Sequence, residues 1–168
     1  MTHSLNIHTA RPEEMDAVSR LIVAAYEQYK KDLPEDAWKN YSRDIADVRS
    51  RLDISELIVA ELDGRPVGAV TYYPDASLSE GEGWPRGWAG IRILSVDPGY
   101  RDRGIGRALM EECLERSRNR GIRTVALHTS EMMEVALGMY QHMGFKRAPE
   151  YDFHPRPDVT VMAYRLDL

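Results

Sequence analysis

The stretch that decides the fold is ILSVDPGYRDRGIGRAL, residues 93–109. Its apolar start, together with Ile91, is typical of a buried strand, and Asp97-Pro98-Gly99 ends that strand. A helix is predicted to follow, because apolar residues recur at helical spacing: Ile105, Ala108, Leu109 and Cys113. The sequence therefore predicts a strand, a glycine-bearing turn and a helix in direct succession.

The junction between the turn and the helix predicts an anion-binding site. The first backbone N–H groups of a helix have no partner within it, and the helix dipole places partial positive charge there. Gly104 and Gly106 carry no Cβ, so a phosphate group could approach the main chain closely. A Rossmann site needs a third glycine where Leu109 stands, and a Walker A loop needs Gly-Lys-Ser/Thr, which the sequence lacks.

The pattern Arg101-x-x-Gly104-x-Gly106 after a strand resembles the acyl-CoA-binding motif of the GNAT N-acetyltransferase superfamily. Earlier in the chain, Asp63-Gly64 predicts a hairpin turn between two strands. Two helices are predicted before it from apolar residues at helical spacing, the first with Met15, Val18, Ile22, Ala25, Tyr26 and Tyr29 and the second with Trp38, Tyr41, Ile45, Val48 and Leu52. The predicted order of elements along the chain is also similar to that of this family. The resemblance implies an α+β fold: a mixed, mostly antiparallel, splayed central sheet flanked by helices in three α/β layers. We expect residues 1–168 to form a single domain of this kind.

The resemblance also implies how acetyl-CoA binds. Its pantetheine arm would lie in a gap around Leu94–Val96 and Val125–His128, and it would pair with the main chain of Leu94 and Val96 as an added strand does. The pyrophosphate would lie on the N–H groups of residues 101–106. The predicted cofactor-binding residues are Leu94, Ser95, Val96, Arg101, Asp102, Arg103, Gly104, Ile105, Gly106 and Arg107.

A second motif, Tyr140-x-x-x-Gly144-Phe145, resembles the family's Tyr-x-x-x-Gly-Phe at the end of a helix. Acyl transfer from a thioester to an amine expels a thiolate, and a phenol can hydrogen-bond or protonate the leaving sulfur. The resemblance implies that Tyr140 is the catalytic residue beside that sulfur. The alternative is a packed aromatic side chain whose hydroxyl is satisfied elsewhere.

The base that would take the proton of the attacking amine is left open by the sequence. Many relatives with a similar Ile-Arg-x-Leu strand carry glutamate at the position of Gly90, which has no side chain. Glu80, Glu82 and His128 are the candidates to replace it. Positioning by itself can also supply much of the barrier reduction, and a backbone N–H of the splayed strand could polarise the thioester carbonyl.

These motifs predict an enzyme, an N-acetyltransferase that moves an acetyl group from acetyl-CoA to a primary amine. The acceptor would be a small molecule, a peptide or a protein, and transfer would be direct, within a ternary complex. The alternative is a non-catalytic CoA-binding or regulatory module. It stays open because Gly90 offers no side-chain base. Acyl-chain length and oligomeric state are left open as well, a homodimer included.

Acceptor selectivity is expected from segments outside the two motifs. These are the second predicted helix with Trp38 and Tyr41, the irregular loop 74–88, and the loop 149–157. Acidic side chains of loop 74–88 would attract an ammonium group, and its tryptophans would stack on the carbon chain. Tyr72 and Tyr73 are further candidates to line the acceptor pocket.

Composition argues against several other classes. The 168 residues carry a net charge of −5, which argues against a general nucleic-acid binder. The single cysteine, Cys113, excludes an internal disulfide and is expected in the core. The five histidines lack metal-ligand spacing, so no metal is expected. No apolar run could span a membrane and no signal peptide is recognisable, so the cytoplasm is the expected compartment.

Overall fold

The computed structural model describes residues 4–79 and 81–168, and over these residues it shows a mixed, mostly antiparallel eight-stranded sheet flanked by four α-helices. The predicted α+β class is confirmed. Glu80, one of the candidate bases, lies outside the described residues. The elements in chain order are β1 (Leu5–Thr9), α1 (Met15–Tyr26), α2 (Glu35–Ala46), β2 (Glu56–Leu62), β3 (Arg65–Tyr73), β4 (Ala89–Val96), α3 (Ile105–Asn119), β5 (Thr124–Thr129), α4 (Glu134–His142), β6 (Lys146–Arg147), β7 (Phe153–Arg156) and β8 (Val159–Asp167).

The chain divides into two compact units. The first comprises the residues up to Tyr72 together with Ile93–Cys113, and the second comprises Tyr73–Arg92 together with Leu114–Leu168. Both β4 and α3 contribute residues to each unit. The expectation of a single domain over 1–168 stays a prediction.

The first unit is built on antiparallel strands in the order β1, β2, β3. The predicted hairpin between β2 and β3 is confirmed, and its turn residues Asp63 and Gly64 have φ of 52° and 77°. Two consecutive positive φ values give the turn a twist that matches the flanking strands. α1 and α2 contact each other in this unit, and α1 buries the apolar face predicted from its spacing, with Val18 and Ile22 fully buried.

The second predicted helix is shorter than its apolar spacing suggests. Apolar residues at helical steps continue to Leu52, but α2 ends at Ala46 and Leu52 is 39% exposed. Arg51 explains the early end, since its guanidinium donates to the carbonyls of Asp44 (2.8 Å) and Ile45 (3.3 Å). A side chain that takes up the last carbonyl groups allows a helix to stop there.

The second unit pairs the start of β4 with β5 in parallel, then β5 with β8 and β8 with β6 in antiparallel fashion. The segment 149–157, predicted as a loop, instead contains a 3-10 turn and strand β7, which pairs with β8. Pro155 lies within β7. A proline, which has no N–H, is tolerated in an edge strand, so the proline-rich composition hid a strand.

Gly68 on β3 allows α3 to begin directly against this strand. A Cβ at Gly68 would lie 2.8 Å from Cγ2 of Ile105, 3.0 Å from Cδ1 of Leu109 and 3.1 Å from the carbonyl oxygen of Ser95. Ile105 and Leu109 are both buried, on the first turns of α3. The missing side chain therefore sets how deeply the start of α3 packs in the first unit.

We expect Gly68→Ala to lower the free energy of unfolding by about 1–3 kcal/mol, the usual cost of forcing an extra carbon into a packed core. The Ser95 carbonyl is backbone and cannot move aside as a side chain can. Gly138→Ala on α4 is the matched control, because nothing lies within 4 Å of its Cβ position, and it should be neutral or slightly stabilising. Urea unfolding of both variants measures the difference, and equal stabilities would contradict the packing argument.

Candidate active site

Ile93 interrupts the regular conformation of β4. Its φ is 56°, a value that β-branched residues rarely adopt and that costs free energy. The ladder between β4 and β5 covers only Ala89–Ile91 on β4, and it ends at the pair Ile91↔Leu127. Val125–Leu127, predicted to line a gap, are thus paired with β4, which corrects that part of the expected gap. Leu94–Val96 lie beyond the end of the ladder and beyond the strained residue.

The three predicted β4 ligands differ in their exposure. Leu94 and Val96 are half-buried, whereas Ser95 between them is only 1% exposed. This alternation is that of a strand whose successive side chains point to opposite faces. The Ser95 hydroxyl donates to the carbonyl of Ile93 (3.2 Å), within its own strand. The main chain of Leu94 and Val96 is therefore the part of this strand that suits an added extended ligand.

The turn that leads into α3 has a backbone suited to anions. Asp97 accepts a hydrogen bond from the N–H of Gly99 at 2.8 Å, which closes the turn after β4. Asp102 and Gly104 then adopt positive φ, 62° and 77°. Residues 101–104 are exposed, and α3 begins at Ile105. Left-handed residues just before a helix start turn successive N–H groups towards one side, as anion sites require.

The arginines of the predicted cofactor site are held by neighbours in the first unit. Arg101 donates from Nη2 to the carbonyl of Ala25 at the end of α1 (3.2 Å). The guanidinium of Arg103 lies over the Tyr100 ring, 5.0 Å from its centroid. Arg107 pairs with Glu111 one helical turn on (3.1 Å between Nε and Oε1). Arg101 therefore has a structural role, because its hydrogen bond connects the turn to α1. Its predicted role as a ligand stays a prediction.

Tyr140 lies on α4 in the second unit and is 7% exposed. Its ring centroid is 6.0 Å from that of Phe145, and the N–H of Phe145 donates to its carbonyl (3.0 Å). Gly144 has a φ of 99°, a left-handed conformation that ends α4 and lets the chain turn so that Phe145 packs beside Tyr140. The motif is therefore a packing unit, and a catalytic role of the Tyr140 hydroxyl stays a prediction.

The aromatic residues proposed for the acceptor are mostly buried. Tyr72 and Tyr73 are 0% and 1% exposed and belong to the core. In the first unit, Trp38 is 8% exposed and packs beside Tyr41, with 6.5 Å between ring centroids. Tyr41 is half-buried.

A side chain at Gly90 would be crowded by loop 74–88. A Cβ at this position would lie 3.0 Å from the Cβ of Ala76, a residue of loop 74–88. Ala76 is fully buried and donates its N–H to the carbonyl of Trp88 (2.7 Å). The loop is irregular as predicted. Its residues Ala76 and Trp84 are buried within the second unit, whereas Gly83, Arg86 and Gly87 are exposed.

The same loop brings Glu82 to the cluster that surrounds His128. Glu82 has a side chain only 9% exposed. Its Oε1 accepts from Nε of Arg92 (2.8 Å), and its Oε2 accepts from Nε1 of Trp84 (2.5 Å) and lies 3.5 Å from Nδ1 of His128. Two candidate bases are thus neighbours. Arg92 was missed, although it is the arginine of the Ile-Arg-x-Leu strand.

His128 is held on three sides. Its ring stacks on Trp84, 4.3 Å between centroids, and meets the edge of Phe153 at 4.8 Å. Its Nε2 lies 2.8 Å from the carbonyl oxygen of Tyr151. Trp84 is 4% exposed, so it supports His128 and is not available to stack on an acceptor, contrary to the expectation from sequence. Trp88 is half-buried and contacts Tyr151, 5.1 Å between ring centroids.

Asp152 fixes the chain next to Tyr151. Its carboxylate binds Arg147 through both oxygens, at 2.6 and 2.7 Å, and accepts the N–H of Ala163 at 2.7 Å. These interactions, the Arg147 hydrogen bonds first, lower the pKa of Asp152 from 3.8 to about 2. The turn that presents the Tyr151 carbonyl is therefore anchored by a charged pair.

Within residues 4–79 and 81–168, no helix has the length and apolar character needed to cross a membrane. Nor do the described side chains group three or more His, Cys, Asp or Glu in a way that could hold a metal ion. Cys113 is buried, as expected of a core residue.

Asp152→Asn should destabilise the protein by about 2 kcal/mol at pH 7, because charged hydrogen bonds become neutral ones. A carboxylate whose pKa is lower in the folded state adds stability above its unfolded pKa and loses it as the pH falls through the folded pKa. The difference between parent and variant should therefore shrink between about pH 4 and pH 2. Urea unfolding across this range tests it, and a difference independent of pH would contradict it. Asp167→Asn, at a carboxylate 62% exposed, is the control and should change little.

Comparisons with known proteins give consistent results. The model of the family described as "Acetyltransferase (GNAT) family" matches residues 15–145. Human N-acetyltransferase 8B is 31% identical over 136 residues, which cover 73% of this chain and 56% of that protein. Mycothiol acetyltransferase of Cellulomonas flavigena is 34% identical over 119 residues, 67% of this chain and 34% of that protein. The chain thus spans 56% and 34% of the lengths of these two relatives.

A solved structure shows the same fold. The PaiA N-acetyltransferase of Thermoplasma acidophilum, crystallised in complex with coenzyme A, superimposes with a TM-score of 0.75 at 17% identity. The match covers 97% of this chain and 99% of that one. At this level of identity the similarity concerns the fold.

Proposed function

This chain belongs to the GNAT acetyltransferase family, and from that membership we propose that it transfers an acetyl group from acetyl-CoA to a primary amine. The observation that carries the proposal is the backbone of residues 93–106: a strained Ile93 in β4, then an exposed turn with two left-handed residues, then the start of α3. A strand free to accept an extended arm, followed by a helix start that suits phosphate, matches the chemistry of CoA.

We assign the pyrophosphate of CoA to the N–H groups of residues 101–106 and the pantetheine arm to the main chain of Leu94 and Val96. The side chain of Gly106 is a hydrogen, so the phosphate meets backbone alone. A backbone N–H after the strained Ile93 would donate to the thioester carbonyl oxygen as charge develops on it. Acetyl-CoA is thus the co-substrate in this proposal, and no metal takes part.

Tyr140 is the acid that we propose for the departing thiolate. The amine nitrogen attacks the thioester carbon, the C–S bond breaks, and the phenol donates its proton to the sulfur. Transfer is direct, with both substrates bound at once, so effective concentration supplies much of the rate. The acceptor is an amine of a small molecule, a peptide or a protein. The cytoplasmic compartment and a homodimer stay predictions.

The non-catalytic alternative rests on Gly90, which offers no side-chain base and where a Cβ would lie 3.0 Å from that of Ala76. Release of free thiol from acetyl-CoA with a panel of amines decides between enzyme and binding module, and mass spectrometry of the products identifies the acceptor. Binding of acetyl-CoA without release by any amine would favour the module.

We expect Gly106→Glu to abolish most acetyl-CoA binding, because it adds bulk and negative charge where the pyrophosphate should lie. Asn40→Glu, which adds the same charge at an exposed position of α2, is the matched control and should bind as the parent does. Calorimetric titration of each folded variant with acetyl-CoA is the measurement. Unchanged affinity in Gly106→Glu would contradict the assigned phosphate site.

Tyr140→Phe keeps the ring that packs on Phe145 and removes only the hydroxyl. If the hydroxyl protonates the thiolate, kcat should fall by about 10²-fold or more while KM for acetyl-CoA barely changes. Tyr164→Phe, the same change at a buried position of β8, controls for loss of a hydroxyl as such. Steady-state kinetics with both substrates varied gives the answer, and an equal kcat would return Tyr140 to a packing role.

A further inference from the structure

We propose that Glu82 and His128 form the proton-accepting pair of this protein: Glu82 receives the proton of the acceptor amine and His128 stores it. The inference rests on the proposed acetyl transfer and adds the base that the sequence leaves open. All of its residues lie in the second unit, on loop 74–88, on β4 and β5, and on the turn before β7.

The position of the imidazole decides which nitrogen carries a hydrogen. Nε2 of His128 lies 2.8 Å from the Tyr151 carbonyl oxygen, and a carbonyl can only accept, so Nε2 is the donor. In the neutral ring Nδ1 therefore holds a lone pair. This nitrogen is buried and has no hydrogen-bond partner within residues 4–79 and 81–168. Buried polar atoms are seldom left in that state, and an open one requires an explanation.

The atom that faces this lone pair is another acceptor. Oε2 of Glu82 lies 3.5 Å from Nδ1 of His128. Two acceptors that face each other without a hydrogen gain nothing, whereas one added proton turns them into an imidazolium–carboxylate pair. The side chains are 6% and 9% exposed, so the pair lies in a low dielectric where this gain is large. The geometry places a nitrogen lone pair and a carboxylate oxygen where one proton could lie between them.

Two donors bind the side chain of Glu82. Arg92 donates to Oε1 and Trp84 donates to Oε2, at 2.8 and 2.5 Å. Since an imidazole is ordinarily more basic than a carboxylate, a proton that arrives on Glu82 is passed on to the neutral ring of His128. Trp84 also stacks on the ring of His128, so one side chain orients both members of the pair.

The charged groups around the pair are balanced. Glu82 and Arg92 face His128 from loop 74–88 and β4. On the side of β7 and β8, Asp152 is bound to Arg147, whose hydrogen bonds are the first cause that lowers the pKa of Asp152. Arg165 of β8 lies over Trp88, 5.1 Å from the ring centroid.

Loop 74–88 explains why the base comes from here. Ala76 occupies the space beside Gly90 where a side chain would project, 3.0 Å from the Cβ position. A few residues further on, the same loop delivers the carboxylate of Glu82 to Arg92, two positions along β4 from Gly90. The loop thus crowds position 90, where glycine offers no base, and places the carboxylate of Glu82 beside the same strand.

The proton balance is complete with the groups named. One N–H bond of the ammonium breaks, an O–H bond forms on Oε2 of Glu82, and that proton moves to Nδ1 of His128. The neutral amine attacks the thioester carbon. When the C–S bond breaks, Tyr140 gives its phenolic proton to the sulfur. A second proton from the nitrogen then returns to the Tyr140 oxygen. His128 then releases its proton to solvent, so amide, thiol and one proton leave.

The decisive variant is His128→Gln, whose amide can still donate to the Tyr151 carbonyl but cannot take up a proton. With an alkyl ammonium acceptor near neutral pH, kcat should fall by about 10²-fold or more, the usual contribution of a general base, while KM for acetyl-CoA is unchanged. His142→Gln, at an exposed position at the end of α4, is the matched control and should have the parent's kcat.

The nature of the acceptor separates a base from a structural residue. A hydrazide or hydroxylamine analogue is neutral at the assay pH and needs no base, so His128→Gln should use it nearly as well as the parent does. With the alkyl amine, whose pKa is about 10.4, the variant's rate should rise tenfold per pH unit as neutral amine accumulates, and the parent's should not. Glu82→Gln should show the same pattern.

Two results would overturn the inference. One is an equal loss of kcat with both kinds of acceptor, or no loss with either. The other needs no variant: nitrogen-15 NMR of the unaltered chain should show His128 protonated on Nε2 and gaining its second proton on Nδ1, and the opposite tautomer would refute the proton site. Absence of thiol release by the unaltered chain with every amine would instead refute the acetyl transfer, and the base role with it.

Discussion

Gly68 has no side chain, and the first turns of α3 occupy the space where one would be, with Ile105 only 2.8 Å from the Cβ position. The carbonyl oxygen of Ser95 on β4 lies 3.1 Å from the same Cβ position, so strand β3, the end of β4 and the start of α3 approach one another closely there. The turn between β4 and α3 must then close within residues 97–104. It does so with an Asx turn at Asp97 and two left-handed residues. The proposed phosphate site is thus a consequence of packing in the first unit.

The second unit depends on a different device, a buried charged cluster carried by an irregular loop. Burying a carboxylate is costly unless donors surround it. Glu82 has Arg92 and Trp84 as donors, and Nδ1 of His128 lies 3.5 Å from its Oε2. Such a cluster contributes little net stability compared with an apolar core, which favours a chemical reason for keeping it. The proposed proton transfer is such a reason.

How far the sequence predicts this protein depends on whether the deciding contacts are local. The hairpin at Asp63-Gly64 and the glycine-bearing turn before α3 were predicted, because the required φ values restrict the residue types at those positions. The end of α2 was predicted wrongly, because Arg51 reaches back to two carbonyls of the helix. Strand β7 was missed, since prolines suggest a loop unless the strand is known to lie at an edge.

The sequence by itself determined the family, the order of the elements and the glycine turn at α3, because each of these depends on residue types at short spacings along the chain. Glu82 and His128 were candidates, but only the tertiary structure decided that they are neighbours, with 3.5 Å between carboxylate and ring nitrogen. It also decided that Trp84 supports His128 instead of facing an acceptor. Contacts between residues distant in sequence depend on how an irregular loop packs, and no local periodicity records that packing.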